Sequence, residues 1–588
     1  MRVVTSSRTA HWVTGTVTLA AVLAMALSAG AAYRLVILSD RTGGHQEGVY
    51  PSIIREINLL QPDIVVTVGD QIEGYGDDME MMSAEWDTLL AMLDALDAPV
   101  YLTAGNHDIW SDDSEELYRQ RTGHEPYYSF DYEGTHFVIL DTSRIEAWEQ
   151  VEEEQLAWLA SDLAETAPED QIFVVYHKPL WLMTVGSGGS DPVHELLVEH
   201  GVDGVFTGHF HHFFSDTYDG IPYASIGSSG GAMYRNETEP VARGEFFQFC
   251  WLTVDDDGFE LAVIDAGSVY PADFHTVEDE REIVAIESDY VSVSPVRVAG
   301  AAGEAVEVVV TVENHAPVAI DDAITWEMPQ GWEIEPSVAP VVVESGEVGE
   351  FVFSVVPPES VFPAPALALT YPMSNGMEVV TDIPLRVVRT AGAARFRATP
   401  AIDGALAEPC WAGATPVTRL YPAYDDSEVD GGTEFRFGFD DTYLYISAVC
   451  HEPMVDEIVA AGEERDSAVY RDDCVGLFIQ PVADEMVVYQ VYVNPLGTIF
   501  DQRIDFNEAM VYTTDPTWDG ELDVATRVSE DRWVVEAAIP LSELGAIIGD
   551  DDVWRVNFRR KQQRIQAVED WQVPIDYNPK TFGELVLE

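Results

Sequence analysis

The stretch that decides the fold is Pro99-Val100-Tyr101-Leu102-Thr103-Ala104-Gly105-Asn106-His107-Asp108. Its first six residues are mostly apolar and predict a buried strand. Directly after that strand come an amide, an imidazole and a carboxylate. Open α/β folds place their functional groups at the carboxyl ends of strands. The stretch therefore predicts an α/β domain with a metal ligand and an acid at that edge of a sheet.

Four other apolar runs end in polar side chains in the same way. Residues 35–38 precede Asp40, 64–68 precede Asp70, 172–176 precede His177, and 202–207 precede His209 and His211. Segments 51–60, 84–96 and 155–163 between these runs have the spacing of amphipathic helices. Because every run delivers Asp, Asn or His at the same end, we predict that these side chains form one site.

This order of residues resembles the calcineurin-like metallophosphoesterases. The resemblance rests on Asp40, Gly69-Asp70, Gly105-Asn106-His107-Asp108, His177 and Gly208-His209-Phe210-His211. It implies a four-layer αββα sandwich over residues 33–269, with two sheets packed between helices. It also implies hydrolysis of phosphomonoesters or phosphodiesters by attack of a metal-bound hydroxide.

The resemblance also implies a role for each motif residue. Asp70 would bridge two divalent cations, and the histidine-rich ligation favours Mn, Fe or Zn. His107 would protonate the leaving oxygen, with Asp108 orienting its ring. The remaining ligands would be Asp40 and His211 for the first cation, and Asn106, His177 and His209 for the second.

One position departs from the family pattern, which has a histidine where this chain has Thr42. His45 follows in a glycine-containing segment and is a candidate substitute ligand. The alternatives are a one-cation enzyme, or Arg41 supplying positive charge to the phosphate. Another is lost catalysis, which would leave an exported glycan-binding or adhesion protein on an impaired phosphoesterase scaffold. An unrelated hydrolase on the same scaffold is the last alternative.

The N-terminal residues 1–32 predict a signal peptide. Arg2 and Arg8 precede an apolar core at 13–27, and Ala29-Gly30-Ala31 has the spacing of a cleavage site. The core is shorter than the about 20 apolar residues of a membrane span, and an uncleaved N-terminal anchor is the alternative. Either places the enzyme outside the cytoplasm: secreted, periplasmic or at the cell surface.

The net charge of −74 restricts the partners of the chain. Such a charge repels the phosphates of nucleic acids and of anionic membranes. We expect no nucleic-acid-binding surface, and no membrane contact apart from an uncleaved anchor. The expected partners are a phosphoester substrate and a carbohydrate. A glycine- and serine-rich loop at 186–190, after His177, is a candidate for substrate recognition.

The rest of the chain is predicted to be all-β, which makes the whole a multidomain α/β plus all-β protein. Residues 270–286 are charged and poor in apolar runs, and we expect a linker. Residues 287–390 alternate apolar and polar side chains, as in 305–314, which predicts a β-sandwich. This segment resembles the Ig-like domains beside carbohydrate-active enzymes.

Residues 394–588 are again rich in predicted strands. Ile402-Asp403-Gly404, Trp411, 494–498 and the strands that begin at Trp533 and Trp554 occur in the order of the family 9-like carbohydrate-binding modules, and resemble them. The resemblance implies a β-sandwich that binds carbohydrate. Trp533 and Trp554 are expected in the core, whereas Trp518 and Trp571 are nearer to predicted loops and are the candidates for stacking on a sugar. A bridge between Cys450 and Cys474, both in predicted strands, is a further hypothesis.

Overall fold

The computed structural model describes residues 32–588 except 77, 168–169, 234–240, 266–267, 299–302, 424–427, 483–484, 507–511, 547, 550–552 and 574–576. The predicted signal peptide lies outside the described residues, apart from Ala32. No helix in the described part is long and apolar enough to cross a bilayer. The chain forms two compact units, of which the first extends to Tyr290 and includes His315–Ile320 and Thr370–Thr381.

The first unit alternates strands and helices, as the sequence predicts. Its elements up to Ala285 are β1 (Tyr33–Leu38), α1 (Val49–Leu60), β2 (Ile64–Thr67), α2 (Met79–Leu93), β3 (Val100–Tyr101), α3 (Asp112–Thr122), β4 (Tyr128–Tyr132), β5 (Thr135–Ile139), α4 (Glu153–Glu165), β6 (Gln171–Val175), α5 (Pro192–His200), β7 (Gly204–Thr207), β8 (Phe214–Tyr218), β9 (Ile221–Ser225), β10 (Gln248–Asp255), β11 (Gly258–Asp265), β12 (Ser268–Pro271) and α6 (Val277–Ala285).

The helix boundaries differ most from prediction at α2. We expected this helix over 84–96, but it begins at Met79, because the Asp78 side chain accepts hydrogen bonds from the backbone N–H groups of Glu80 and Met81. This N-cap satisfies donors that the first turn leaves free. The helix predicted at 51–60 is α1, and that at 155–163 is α4.

The strands form two six-stranded sheets, with the orders β12-β11-β10-β1-β2-β3 and β4-β5-β6-β7-β9-β8. Alternate side chains of each strand enter different cores, since successive side chains point to opposite faces. Leu35 and Ile37 of β1 pack between the sheets with Phe173 of β6. Val36 and Leu38 pack under α1 and α2 instead, and Val174 packs with Leu159 of α4. The expected four-layer αββα sandwich is confirmed.

The segment expected to be a linker contains a helix. Helix α6 begins with a capping box in which Thr276 and Asp279 exchange hydrogen bonds. Val277 and Ile283 of this helix are buried in the first unit. The prediction of a linker over 270–286 was therefore wrong for 277–285, because two inward-facing apolar residues suffice to dock a short helix whose other positions are charged.

The second unit begins with two four-stranded sheets, ordered β13-β15-β19-β17 and β18-β16-β20-β23. Trp326 of the second sheet contacts Phe353 of the first with ring centroids 5.5 Å apart, so the two sheets form a β-sandwich. That this domain is Ig-like remains a prediction. The strands of this region are β13 (Val291–Val293), β14 (Val296–Val298), β15 (Val306–Glu313), β16 (Ile320–Glu327), β17 (Glu333–Glu335), β18 (Val338–Val343), β19 (Val348–Val356), β20 (Ala366–Ala368) and β23 (Ile383–Pro384). The two-stranded sheet of β21 (Thr370–Pro372) and β22 (Glu378–Val380), which comes between β20 and β23 in the sequence, belongs to the first unit.

The last domain is one fourteen-stranded sheet, which β14 joins, with the main order β31-β30-β29-β28-β34-β36-β24-β26-β27-β33-β32. Phe435 and Phe558 lie on strands separated by two others in this order, yet their rings are 4.7 Å apart. The sheet therefore folds over into the two layers of the expected β-sandwich. Its strands are β24 (Val387–Arg395), β25 (Tyr421–Pro422), β26 (Thr433–Phe439), β27 (Tyr443–His451), β28 (Cys474–Gln480), β29 (Val487–Val493), β30 (Ile499–Phe506), β31 (Tyr512–Asp515), β32 (Asp523–Val528), β33 (Arg532–Pro540), β34 (Val553–Gln562), β35 (Ala567–Asp570) and β36 (Gly583–Leu587).

The hypothesis of a disulfide between Cys450 and Cys474 is not supported. All four cysteines are described, and all four are free. Cys450 lies on β27 and Cys474 on β28, and these strands are not neighbours in the sheet.

Candidate metal centre

The predicted metal ligands other than His45 follow the carboxyl ends of parallel strands. In one sheet β1, β2 and β3 are parallel neighbours, and in the other β6 and β7 are parallel. Asp40, Asp70 and Asn106 follow the first three strands, and His177 and His209 follow the other two. Since the two sheets pack face to face, the loops at these ends meet, and the predicted convergence is present.

Two groups of ligand atoms lie at this edge and share Asp70. Within each group the candidate atoms lie within 4.8 Å of one another. The Asp70 carboxylate is 3.1 Å from His177 Nε2. The groups are Asp70 with His177 and His209, and Asp40 with Asp70 and His211. A carboxylate shared by two ligand groups is what two neighbouring cations need, so the donors fit the metals that the motifs imply.

Hydrogen bonds to main-chain carbonyls fix the orientation of two of these imidazoles. His177 Nδ1 lies 2.9 Å from the Val68 carbonyl, and His211 Nδ1 lies 2.6 Å from the Ala232 carbonyl. Each bond holds a proton on Nδ1 and turns Nε2 toward the site, where a bound cation would take the place of the Nε2 proton. Asn106 Oδ1 is 3.0 Å from His177 Nε2, so the amide oxygen joins the same group.

The backbone at the site is strained. Asp70, His209 and His211 have φ values of 53°, 77° and 60°, a region that costs free energy for residues other than glycine. The glycines before the ligands allow close approach. A Cβ at Gly105 would lie 2.1 Å from Asp70 Oδ1, and one at Gly208 would lie 2.6 Å from Asp40 Oδ2.

The charges at the site suit cation binding. Burial alone would raise the pKa of Asp40, but its hydrogen bond and ionic contact with His211 outweigh burial and hold that pKa below its usual range. Burial would likewise raise the pKa of Asp70, and the charge and hydrogen bond of His177 hold it low. Burial, reinforced by the charge of His177, lowers the pKa of His209 to about 3. Ionised carboxylates and a neutral imidazole are the forms that bind metal.

The surroundings of His107 differ from the prediction. Its Nδ1 lies 2.6 Å from the Glu73 carbonyl, and its backbone N–H donates to Asp70 Oδ1 at 2.9 Å. Asp108 instead accepts from the backbone N–H groups of Gln71, Ile72 and Gly105. The role of orienting the His107 ring therefore belongs to a main-chain carbonyl, and Asp108 joins the two loops. Burial and the nearby Asp70 carboxylate raise the pKa of Asp108 to about 7.

The structure leaves His45 outside both ligand groups. Its Nδ1 is 2.6 Å from Glu73 Oε1, and its side chain is 49% exposed. Thr42, at the position of the family's histidine, is buried. Arg41 is also buried and donates to the Gln71 carbonyl at 2.8 Å. In this conformation His45 does not supply the missing ligand, and the Arg41 guanidinium, which was expected to face the phosphate, donates to a main-chain carbonyl.

Sequence reasoning missed the loop at 73–75. Glu73 holds the segment before α1 through the backbone N–H groups of Gly44 and His45. Tyr75 accepts a hydrogen bond from Asn106 Nδ2 at 2.8 Å and meets the His107 ring edge-on at 4.7 Å. The only sequence signal was the position of this tyrosine, between Gly74 and Gly76, shortly after Gly69-Asp70.

The two tryptophans predicted to bind sugar have different surroundings. Trp571 is 1% exposed; Phe558 stacks on it at 4.6 Å, and Arg389 lies over its ring. Its faces are covered, so the prediction for Trp571 was wrong. Trp518 is half-buried and leans on Tyr489 with ring centroids 4.9 Å apart, so it remains the candidate.

Two family models match the chain, one at each end. Residues 33–213 match the model of the calcineurin-like phosphoesterases. The chain contains a calcineurin-like phosphoesterase domain. Residues 402–588 match the model of the carbohydrate family 9 binding domain-like proteins, so the second resemblance is confirmed as well.

The phosphoesterase domain has curated relatives. It is 28% identical over 177 residues to a "probable cyclic nucleotide phosphodiesterase" of Rhodococcus erythropolis, covering 29% of this chain and 58% of the relative. It is 30% identical over 157 residues to the "serine/threonine-protein phosphatase CPPED1" of Bos taurus, covering 23% of this chain and 49% of the relative. The chain thus spans about half the length of the relatives it matches.

Solved structures resemble parts of the chain. A "dimetal phosphatase" from Danio rerio is 16% identical, with 39% of this chain and 95% of that one covered and a TM-score of 0.28. A family 9 carbohydrate-binding module from Caldicellulosiruptor kristjanssonii, in complex with glucose, is 20% identical, with 34% and 95% covered and a TM-score of 0.24.

Proposed function

We propose that this chain is an exported phosphoesterase that hydrolyses phosphomonoesters or phosphodiesters with two divalent cations, of Mn, Fe or Zn. The observation that carries the proposal is the sharing of Asp70 by two groups of ligand atoms. When bound, such cations activate water for attack and neutralise the phosphoryl oxygens. Asp70, Asn106, His177 and His209 would hold one of them, and Asp40, Asp70 and His211 the other.

The residues of the chain hold and move the protons. The bond between His107 Nδ1 and the Glu73 carbonyl places one proton on Nδ1. This bond leaves Nε2 free to face the substrate, and a second proton taken up at Nε2, which makes the ring an imidazolium, would be the one that the leaving oxygen receives. Tyr75 packs against the edge of this ring and limits its rotation. His107 acts as the acid, and Glu73 and Tyr75 position it.

We further propose that the C-terminal domain binds carbohydrate and that the chain works outside the cytoplasm. The match of residues 402–588 to the family 9 model supports the first statement. The half-buried Trp518 is its candidate contact. The basic, apolar and small-residue pattern of residues 1–32 supports the second.

The test is hydrolysis of p-nitrophenyl phosphate and bis-p-nitrophenyl phosphate by the purified chain, with and without Mn. We expect metal-dependent turnover that His107→Ala lowers about 100-fold or more, the range of general acid catalysis. His200→Ala, in the last turn of α5, is the matched control and should leave the rate unchanged.

A chain that turns over neither ester with Mn, Fe or Zn would contradict the proposal. That result would favour the alternative, an impaired phosphoesterase scaffold that serves as an exported glycan-binding or adhesion protein. Glycan binding by the chain, abolished in Trp518→Ala, would then be the property to establish.

A further inference from the structure

An apolar pocket lies beside the candidate metal ligands that follow β7. We use the name apolar pocket for the hollow bordered by Leu182, Met183, Phe210, Phe214, Arg281 and Val284, whose volume is about 450 Å³. Its walls come from the loop after β6, the link between β7 and β8, and helix α6. Ser187, from the loop predicted to take part in substrate recognition, also lines it.

Phe210 connects the pocket to the metal centre. It stands in sequence between His209 and His211, and its ring centroid is 5.4 Å from that of His209. The same ring lies 5.9 Å from the His212 ring, with an angle of 29° between the two ring planes. One aromatic ring thus separates the pocket from a candidate ligand, and a phosphoester held at the metals would have this pocket within reach.

The pocket exposes apolar surface on a strongly acidic protein. Met183 is 56% exposed, Val284 55% and Phe210 37%, although the chain has a net charge of −74. Large apolar side chains that are exposed next to one another often mark a binding surface. Exposure of all three around one hollow indicates that an apolar group belongs there.

The wall formed by α6 is held in place by polar contacts. Glu280 lies 2.7 Å from His275 Nε2 and 3.4 Å from His212 Nε2, so it fastens the helix to the segment that follows the ligands. Arg281 donates a hydrogen bond to the Gly186 carbonyl. The pocket is therefore preformed, as binding pockets for small organic groups usually are.

The position of the pocket indicates which part of a substrate it takes. Its lining comes from the loop after β6, the segment around Phe210, and α6 with the residues after it; within the described residues, none of it comes from 73–75 or 106–108. The leaving group would sit at 106–108, because His107 protonates it. A group bound beside Phe210 is instead one that stays on phosphorus, and only a phosphodiester has such an ester group.

We propose that the apolar pocket binds the retained ester group of a phosphodiester and that this group is aromatic; the inference rests on the proposed function. The rings of Phe210, Phe214 and His212 provide faces for stacking. Glu280 and Asp289 also line the hollow, which disfavours a second anionic group. The reaction forms a P–O bond to the oxygen of a water molecule and breaks the P–O bond to the leaving group, whose oxygen takes a proton from His107, and the aromatic group stays on the phosphomonoester product.

The test compares two diesters with the same leaving group. Bis-p-nitrophenyl phosphate retains an aryl group, whereas methyl p-nitrophenyl phosphate retains a methyl group, and both release p-nitrophenolate. We expect Val284→Asp to raise KM for the aryl diester about tenfold with kcat within twofold, and to leave KM for the methyl diester within twofold. A carboxylate in place of an apolar wall of the pocket accounts for a factor of this size.

Val198→Asp is the matched control. Val198 is 43% exposed on α5 and does not line the pocket, so this variant adds the same charge elsewhere and should leave both KM values unchanged. Equal changes for the two diesters in Val284→Asp, or no change for either, would overturn the inference while the proposed function stands.

A binding measurement distinguishes failure of the proposed function from failure of the inference about the pocket. If the wild-type chain hydrolyses neither diester, the proposed function fails. Calorimetry of the Mn-loaded chain with phenylphosphonate and methylphosphonate then tests whether the pocket binds an aromatic group. Tighter binding of phenylphosphonate that Val284→Asp abolishes would uphold it. Equal binding of the two phosphonates would overturn it.

Discussion

At the scale of single residues, the departure at Thr42 bears on how many ligands the first of the proposed cations would have. The group of Asp40, Asp70 and His211 lacks the imidazole of the family pattern, and His45 is paired with Glu73 at 2.6 Å. We expect His45→Ala to bind as much Mn per chain as the wild type, and His211→Ala to bind about one equivalent less. Elemental analysis after gel filtration in Mn measures both. Loss of one equivalent in His45→Ala would instead show that this side chain moves to the metal.

A second residue makes stability depend on pH. Burial raises the pKa of Glu569 from about 4.5 to about 7, and its side chain is 8% exposed. Below pH 4.5 the carboxyl is protonated in both states and costs nothing. From pH 4.5 to 7 the unfolded chain releases a proton that the native chain keeps, so the free energy of unfolding falls as pH rises. Above pH 7 the carboxyl is ionised in both states, and the free energy of unfolding is lowered by the full amount.

Replacing that carboxyl should remove the cost. We expect Glu569→Gln to gain about 1–2 kcal/mol of stability relative to the wild type between pH 4.5 and 8, after allowance for solvent screening. Urea unfolding at the two pH values measures the difference. Glu530→Gln, at an exposed position of the same domain, should show no such gain. A constant difference between Glu569→Gln and the wild type would refute the assignment.

At the scale of elements, strand ends were predictable and loops were not. The apolar runs before Asp70, His177 and His209 predict buried strands with these side chains at their carboxyl ends. The two facing sheets that bring those ends together were implied by the family resemblance. The partners that orient the histidines are the carbonyls of Val68, Glu73 and Ala232. Main-chain groups have no residue identity, and the sequence cannot indicate which of them lies beside a ring.

Helix α6 is a second element that the sequence analysis did not predict. Its charged composition suggested a linker, but Thr276 and Asp279 are spaced as in a capping box, a signal that was present and overlooked. Burial of Trp571 was also missed, because a loop residue next to a strand end can turn inward and meet Phe558. Both errors concern how a short segment docks on a core, which depends on surfaces far away in sequence.

At the scale of the whole molecule, the charge of −74 from 104 acidic and 30 basic residues makes the folded chain repel itself. Compact states gather like charges, and dissolved salt screens them with a Debye length of about 10 Å at 0.1 M. We expect the midpoint of the first thermal unfolding transition at pH 7.5 to rise by several degrees between 0.05 and 0.5 M NaCl, at about 2–4 °C per kcal/mol of relieved repulsion.

The same measurement at lower pH provides the control for that prediction. As pH falls toward the sequence pI of about 4.1, the carboxylates lose their charge and NaCl has less repulsion to screen. The gain from NaCl should therefore shrink at pH 5, measured by calorimetry of one preparation at both pH values. A midpoint that does not change with NaCl at pH 7.5 would contradict the prediction. It would mean that the like charges lie too far apart for their repulsion to lower the stability of the fold. An equal gain at both pH values would mean that NaCl acts by exclusion from the surface and not by screening.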